Sequence, residues 1–201
     1  MARILAIDTT AALGSAALIE DDRVVEEVSL RAPDGFSPVI FGAIQELLQR
    51  HGWPLESIDC FAGASGPGSF TGVRVGLTAI KGLAEATGRP AIAVSNLQAL
   101  ALHATGEIRA VWMDARRGEI YGGVFDSQLQ PLAEEVVAPM ERWQNSLPPN
   151  ATILQGGEIP LAGAIGRIAM RRYRSGDRPD PASLDANYVR RSDAELFWRE
   201  A

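Results

Sequence analysis

The 201-residue chain holds one cysteine, Cys60, and two histidines, His51 and His103. A single cysteine excludes any disulfide within the chain, which suits a reducing compartment. Cys60 sits in an apolar run with no histidine nearby in sequence, so its thiol reads as a small core residue rather than a nucleophile. A zinc site needs about four suitable ligands, and two isolated histidines do not supply them. No Gly-x-Ser-x-Gly elbow is present. Positive charge is short too: 19 Lys and Arg against 25 Asp and Glu leave a formal net charge of −6. That excludes a global basic field for nucleic acid. The arginines of 171–174 and 190–191 are local exceptions that read as solvated surface. No apolar run approaches the ~20 residues of a membrane span. Met1–Thr10 lacks the apolar stretch of a signal peptide, so the expected location is cytoplasmic.

Glycine is plentiful, and much of it is concentrated in Gly63-Ala-Ser-Gly-Pro-Gly-Ser-Phe-Thr-Gly-Val-Arg74. The apolar run Ile58–Ala64 predicts a buried strand. The glycines and Pro67 force a turn, and a helix follows over about Phe70–Ala86, capped by Ser69 or Thr71. Val73, Leu77, Ile80 and Ala84 form one apolar face at helical spacing. Gly72, Gly76, Ala79 and Ala86 form a second face of small residues. Only Arg74, Thr78, Lys81 and Glu85 are polar, whereas a surface helix usually has a broad polar side. Each helical glycine costs ~1 kcal/mol relative to alanine, so close backbone packing is expected in return, against the chain's own sheet and against another helix. The competing reading is a phosphate held on free helix N–H groups. Neither GxxxxGK[ST] nor GxGxxG is matched, which favours packing.

In chain order the pattern reads as strand Arg3–Ile7, ending at Asp8, then strands Ser15–Glu20 and Arg23–Leu30 around an Asp21-Asp22 turn. A helix is expected from Ser37-Pro38 to His51, with Ile40, Ile44 and Leu47 inward and Phe41 and Leu48 partly round the side. After the glycine block come strand Ala91–Val94 and a helix, Asn96–His103, capped by Ser95. The pattern then restarts: strand Arg109–Met113 ending at Asp114, a turn, and strands Glu119–Phe125 and Leu132–Val137. Helix Pro139–Ser146, strand Ala151–Leu154 and helix Pro160–Arg172 follow. Both halves run strand, aspartate, turn, strand, strand, helix, which points to a duplication of element order. The expected division is residues 1–105 and residues 106–201.

Asp8 and Asp114, each at a strand end, can accept turn N–H groups or hold a hydrated metal ion; turn capping is the commoner use. Asp114-Ala-Arg-Arg-Gly-Glu119 could bind an anion through its arginines, but a charged hairpin turn is the favoured reading.

Four stretches, Arg3–Thr9, Gly66-Pro-Gly-Ser-Phe-Thr-Gly-Val-Arg74, Asp114–Tyr121 and Asn187-Tyr-Val-Arg190, occur together and in order. The chain thereby resembles the bacterial TsaB (YeaZ) family of tRNA threonylcarbamoyladenosine biosynthesis proteins. The resemblance is strongest in residues 1–125. It implies an α/β actin-like ATPase (ASKHA, ribonuclease H-like) fold with two lobes of related βββαβα topology, the second shortened. It further implies a non-catalytic platform that supports TsaD, with the ATPase TsaE on the complex. Together they transfer threonylcarbamoyl to N6 of adenosine 37 in tRNAs reading ANN codons. No catalytic or metal-binding residue is implied, since the first helix lacks the histidine pair of TsaD-like members. Gly156-Gly157 falls where nucleotide-binding members contact adenosine, so weak or interfacial adenine nucleotide is the one cofactor role left open. The resemblance places partner binding on Phe41, Leu48, Gly72, Val75, Gly76, Ala79 and Leu83, the same surface serving a homodimer when the protein is alone, with no membrane contact. Two other functions compete: an ATP-dependent kinase or phosphohydrolase using Asp8 and Asp114 around magnesium, and a peptidase, which lacks a nucleophile.

Overall fold

Backbone pairing sorts the strands into two mixed sheets. The structure is a computed structural model that describes residues 1–189. Strands β1 (Arg3–Asp8), β2 (Leu13–Glu20) and β3 (Arg23–Arg31) form an antiparallel meander. Helix α1 (Ile40–Arg50) leads to β4 (Cys60–Gly66), which pairs parallel to β1, and α2 (Phe70–Thr87) leads to β5 (Ala91–Ser95), parallel to β4. The first sheet has the order β3-β2-β1-β4-β5. Helix α3 (Asn96–Ala101) crosses to the second sheet, ordered β8-β7-β6-β9, made from β6 (Ile108–Asp114), β7 (Glu119–Asp126), β8 (Val136–Pro139) and β9 (Thr152–Gln155). Helix α4 (Met140–Asn145) precedes β9 and α5 (Ala162–Arg174) follows it. The second unit thus repeats βββαβα without a counterpart of β5 among the described residues.

Period-two alternation explains the layering. On β1 and β2, Leu5, Ile7, Ala16 and Leu18 face α1 and α2, while Ile4, Ala6, Ala17 and Ile19 face α3 and α5. The inner α3/α5 layer also receives Val111, Met113 and Phe125 from the second sheet. Ala110, Ile120 and Val124 pack on the far side against Trp143 of α4. Both sheets therefore share one central core. The strand at Ile108 opens a new sheet, yet α5, from the second half of the sequence, lies on the first sheet. A Cβ on Gly166 would stand 2.1 Å from Ile19 Cδ1, so α5 seats there at backbone distance. Its N-terminal amides are held by strand side chains: Ala162 N–H donates to Ser15 Oγ (2.9 Å) and Gly163 N–H to Glu27 Oε1 (2.9 Å).

Two predicted elements shift. Ser37-Pro38 does not start a helix. The carbonyl of buried Phe36 accepts from the Val39 and Ile40 amides (3.0 and 2.9 Å), forming a turn that delays α1 to Ile40. The strand predicted at Leu132–Val137 begins at Val136. Asp126 Oδ1 accepts from Gln128 N and Gln130 N (both 2.8 Å), and the loop makes only a bridge at Pro131 before pairing resumes.

Candidate functional site

The start of α2 is pressed onto the β1–β2 turn. Ser69 Oγ accepts from Gly72 N (3.3 Å), and Ser69 N donates to Thr10 O (2.7 Å). Thr9 Oγ1 donates to Gly72 O at 2.7 Å. A Cβ on Gly72 would lie 2.0 Å from Thr9 O; one on Gly76 would lie 2.7 Å from Thr9 Oγ1, and one on Gly68 2.7 Å from Thr10 O. The glycine block thus serves close backbone packing. Gly72 and Gly76, expected among the partner-binding residues, face this chain's own β1–β2 turn.

Asp8 is part of the same closure. It is 2% exposed, and its Oδ1 accepts from Thr10 N (2.9 Å) and Thr10 Oγ1 (2.7 Å). Asn96 Nδ2 donates to Thr10 Oγ1 (2.6 Å), while Asn96 Oδ1 accepts from Gly66 N (2.9 Å). Burial raises the Asp8 carboxyl above its ordinary value, against the lowering effect of the Thr10 and Asn96 bonds. Asp114 repeats only the turn, accepting Arg116 N (2.7 Å), with its side chain 60% exposed beside the Arg116 guanidinium at 3.6 Å.

Between the sheets lies a cleft of about 870 Å³. Thr9, Thr10, Gly68 and Ser69 line it from the first side, and Asp114, Arg116, Gly156 and Gly157 from the second. Its ionisable groups are Asp34, Asp114, Glu158, Arg116 and Tyr121. Three carboxylates against one guanidinium disfavour a polyphosphate. Asp8 does not line the cleft. No group of three or more His, Cys, Asp and Glu fit to hold a metal ion occurs among the described residues. Cys60 is buried, and burial pushes its thiol up to about 12, an unreactive state at neutral pH. No helix of the described residues is long and apolar enough to cross a membrane.

A second hollow, about 390 Å³, runs between α1 and α2 on the outer face. Its lining includes Ile40, Phe41, Phe70, Arg74, Val75 and Ala79. Phe41 is 55% and Phe70 47% exposed, with Val39 exposed beside them. Of the residues expected to bind a partner, Phe41, Val75 and Ala79 meet in this groove, although Ala79 is buried. Leu48 is buried in the core beneath, Leu83 is half-buried, and Gly72 and Gly76 point inward. Phe70 was missed as a site residue, although it opens the helix directly after its cap.

Two units of one βββαβα plan facing each other across a cleft define the actin-like ATPase class of fold. The activator of the 2-hydroxyisocaproyl-CoA dehydratase from Clostridium difficile shares that fold at a TM-score of 0.53 and 7% identity, over 87% of this chain and 96% of that one. The family model for TsaD, tRNA N6-adenosine threonylcarbamoyltransferase, matches residues 31–171. The structure of YeaZ from Pseudomonas aeruginosa superposes with a TM-score of 0.81 at 26% identity, covering 94% of this chain and all (100%) of that one. The tRNA threonylcarbamoyladenosine biosynthesis protein TsaB of Bacillus subtilis is 36% identical over 227 residues, 98% of each chain. The chain belongs to the TsaB (YeaZ) family.

Proposed function

We propose that this protein acts in tRNA threonylcarbamoyladenosine biosynthesis as a non-catalytic platform. On this reading it binds and supports TsaD in threonylcarbamoyl transfer to N6 of adenosine 37, receives TsaE on the TsaB–TsaD complex, and meets tRNA only through that complex. The observation that carries the reading is the contrast between the cleft and the outer groove. The cleft is carboxylate-rich, and Asp8, at the end of β1, is sealed into the core instead of lining it. The α1–α2 groove instead exposes two phenylalanines, Phe41 and Phe70, in its lining, and an exposed apolar patch of this kind marks an interaction site. Phe41 and Val75 would touch the partner, with Leu83 at the edge. Leu48, Gly72, Gly76 and Ala79 would act from beneath by fixing how closely α1 and α2 pack. Residues 1–105 then carry the partner surface, residues 106–201 brace it, and the same groove pairs two copies when TsaD is absent. Any adenine nucleotide would be held weakly or between subunits.

The test is co-purification with TsaD from the same cell. Phe41→Glu should lose TsaD while keeping the wild-type unfolding midpoint. Ala79 is a poorer probe, because a charge at a buried position would disturb folding itself. Retention of TsaD by folded Phe41→Glu overturns the assignment of the groove. Turnover of ATP by the isolated chain overturns the platform role.

A further inference from the structure

The last described stretch of the chain is latched across the first unit by a group from the second. Pro181–Ser183 forms a single 3-10 turn, and Leu184 is buried against the α1/α2 side of the first sheet. Lys81 Nζ donates to Ala182 O (3.3 Å), and Asn187 N donates to Ser65 O (2.7 Å) at the end of β4. The strap passes so near that a Cβ on Gly66 would stand 3.2 Å from Asn187 O.

Glu135, in the β7–β8 connection, closes the latch. One carboxylate oxygen accepts from Asn187 Nδ2 at 2.6 Å and the other from Ser95 Oγ, the residue that caps α3. One side chain therefore joins the second sheet's loop, the start of α3 and the strap. Burial raises the Glu135 carboxyl while both bonds lower it. Next in sequence, Tyr188 reaches the partner groove. Its ring lies 5.9 Å from that of Phe70, and its hydroxyl accepts from Arg74 Nε at 3.3 Å. Arg74 is stacked on Phe70 at 3.6 Å from the ring centroid. Phe70 and Arg74 both line the groove, and Tyr188 is itself 47% exposed.

We infer that the strap Pro181–Tyr188 is part of the TsaD-binding surface, and that Glu135 is the positioning residue that holds it there. The inference rests on the groove being the partner site. The occupant is the TsaD surface that covers Phe41, continued over the contiguous patch Phe70–Arg74–Tyr188. The second sheet thereby contributes to binding through Glu135, without itself touching the partner.

The test measures TsaD affinity and amide hydrogen exchange at Asn187 in the full-length protein. Glu135→Ala should speed Asn187 exchange and weaken TsaD binding about tenfold, as loss of an ordered contact implies. Tyr188→Ala, an exposed change that spares the latch, should weaken binding to a similar degree with Asn187 exchange unchanged. Glu135→Gln should restore affinity, because its oxygen can accept from Ser95 and its amide can donate to Asn187 once that side chain turns over. Wild-type affinity in Tyr188→Ala overturns the strap's role, and in Glu135→Ala the positioning role of Glu135; either leaves the groove assignment intact, provided Phe41→Glu still abolishes binding. Unchanged exchange in Glu135→Ala overturns the latch. If Glu135→Ala fails to fold, Tyr188→Ala alone decides whether the strap is part of the surface.

Discussion

Asp8 and Asp114 end the first strands of their sheets in the same manner, each accepting the amide two residues on, yet their surroundings are opposite. Around Asp8 the turn is closed. Thr10 bonds the carboxylate through its amide and hydroxyl, Asn96 holds Thr10 in turn, and α2 lies against Thr9 with glycine as its contact surface. Around Asp114 the turn is open to the cleft, its charge answered by Arg116 at the surface. Among the described residues the second sheet has no strand matching β5 and no glycine helix driven into its turn. One plan has thus been turned to two uses: a rigid unit that presents helices outward, and a thinner one that braces it through α5 and the Glu135 latch.

Substitutions can break this contrast, and the largest effect should come at Gly72. Gly72→Ala drives a methyl to within 2.0 Å of the Thr9 carbonyl, so α2 must move off the turn. Overpacking of this kind costs typically 1–3 kcal/mol, and backbone rather than a movable side chain stands in the way here, so a loss of about 3 kcal/mol or more is expected in chemical denaturation. Asn96→Ala comes next. It strands Gly66 N–H and removes the donor to Thr10 Oγ1, both buried, for about 2 kcal/mol.

Asp8→Asn sharpens the contrast through pH. Because the folded carboxyl titrates above its ordinary value of 3.8, the folded state holds that proton longer than the unfolded chain. Stability from this group is therefore greatest below 3.8 and falls as pH rises through the folded value. The difference in stability between wild type and Asp8→Asn, followed by denaturant melts from acid to neutral pH, should move against wild type as pH rises. A flat difference would show the turn to be solvated. Asp114→Asn should change stability by less than about 0.5 kcal/mol, since the turn bond survives and exposed ion pairs contribute little. An effect as large as that at Asp8 would erase the distinction between the two turns.

The residues announced much of this architecture. Apolar runs marked the strands, Ser69, one of the two caps expected for α2, and Ser95 cap α2 and α3, and the second aspartate turn exposed the repeat. The helix start at Ser37-Pro38 failed because buried Phe36 organises a turn there, a contact reaching across to Gly14. The strand at Leu132 failed because, beyond the Asp126 turn, the chain makes one bridge to β7 at Pro131 and pairs continuously with it only from Val136.

What the sequence determined by itself was local: periodicity, caps, turns, and a helix with too many glycines to stand alone. What only the tertiary structure decided was what that helix touches. Small residues state that something approaches closely but not what does, because spacing along one helix carries no information about the element opposite. The fold set Thr9 against Gly72 and Gly76, and so left Phe41, Phe70 and Val75 to form the outer surface. It likewise carried Asn187 to Glu135, 52 residues apart in the chain, a pairing that no local pattern encodes.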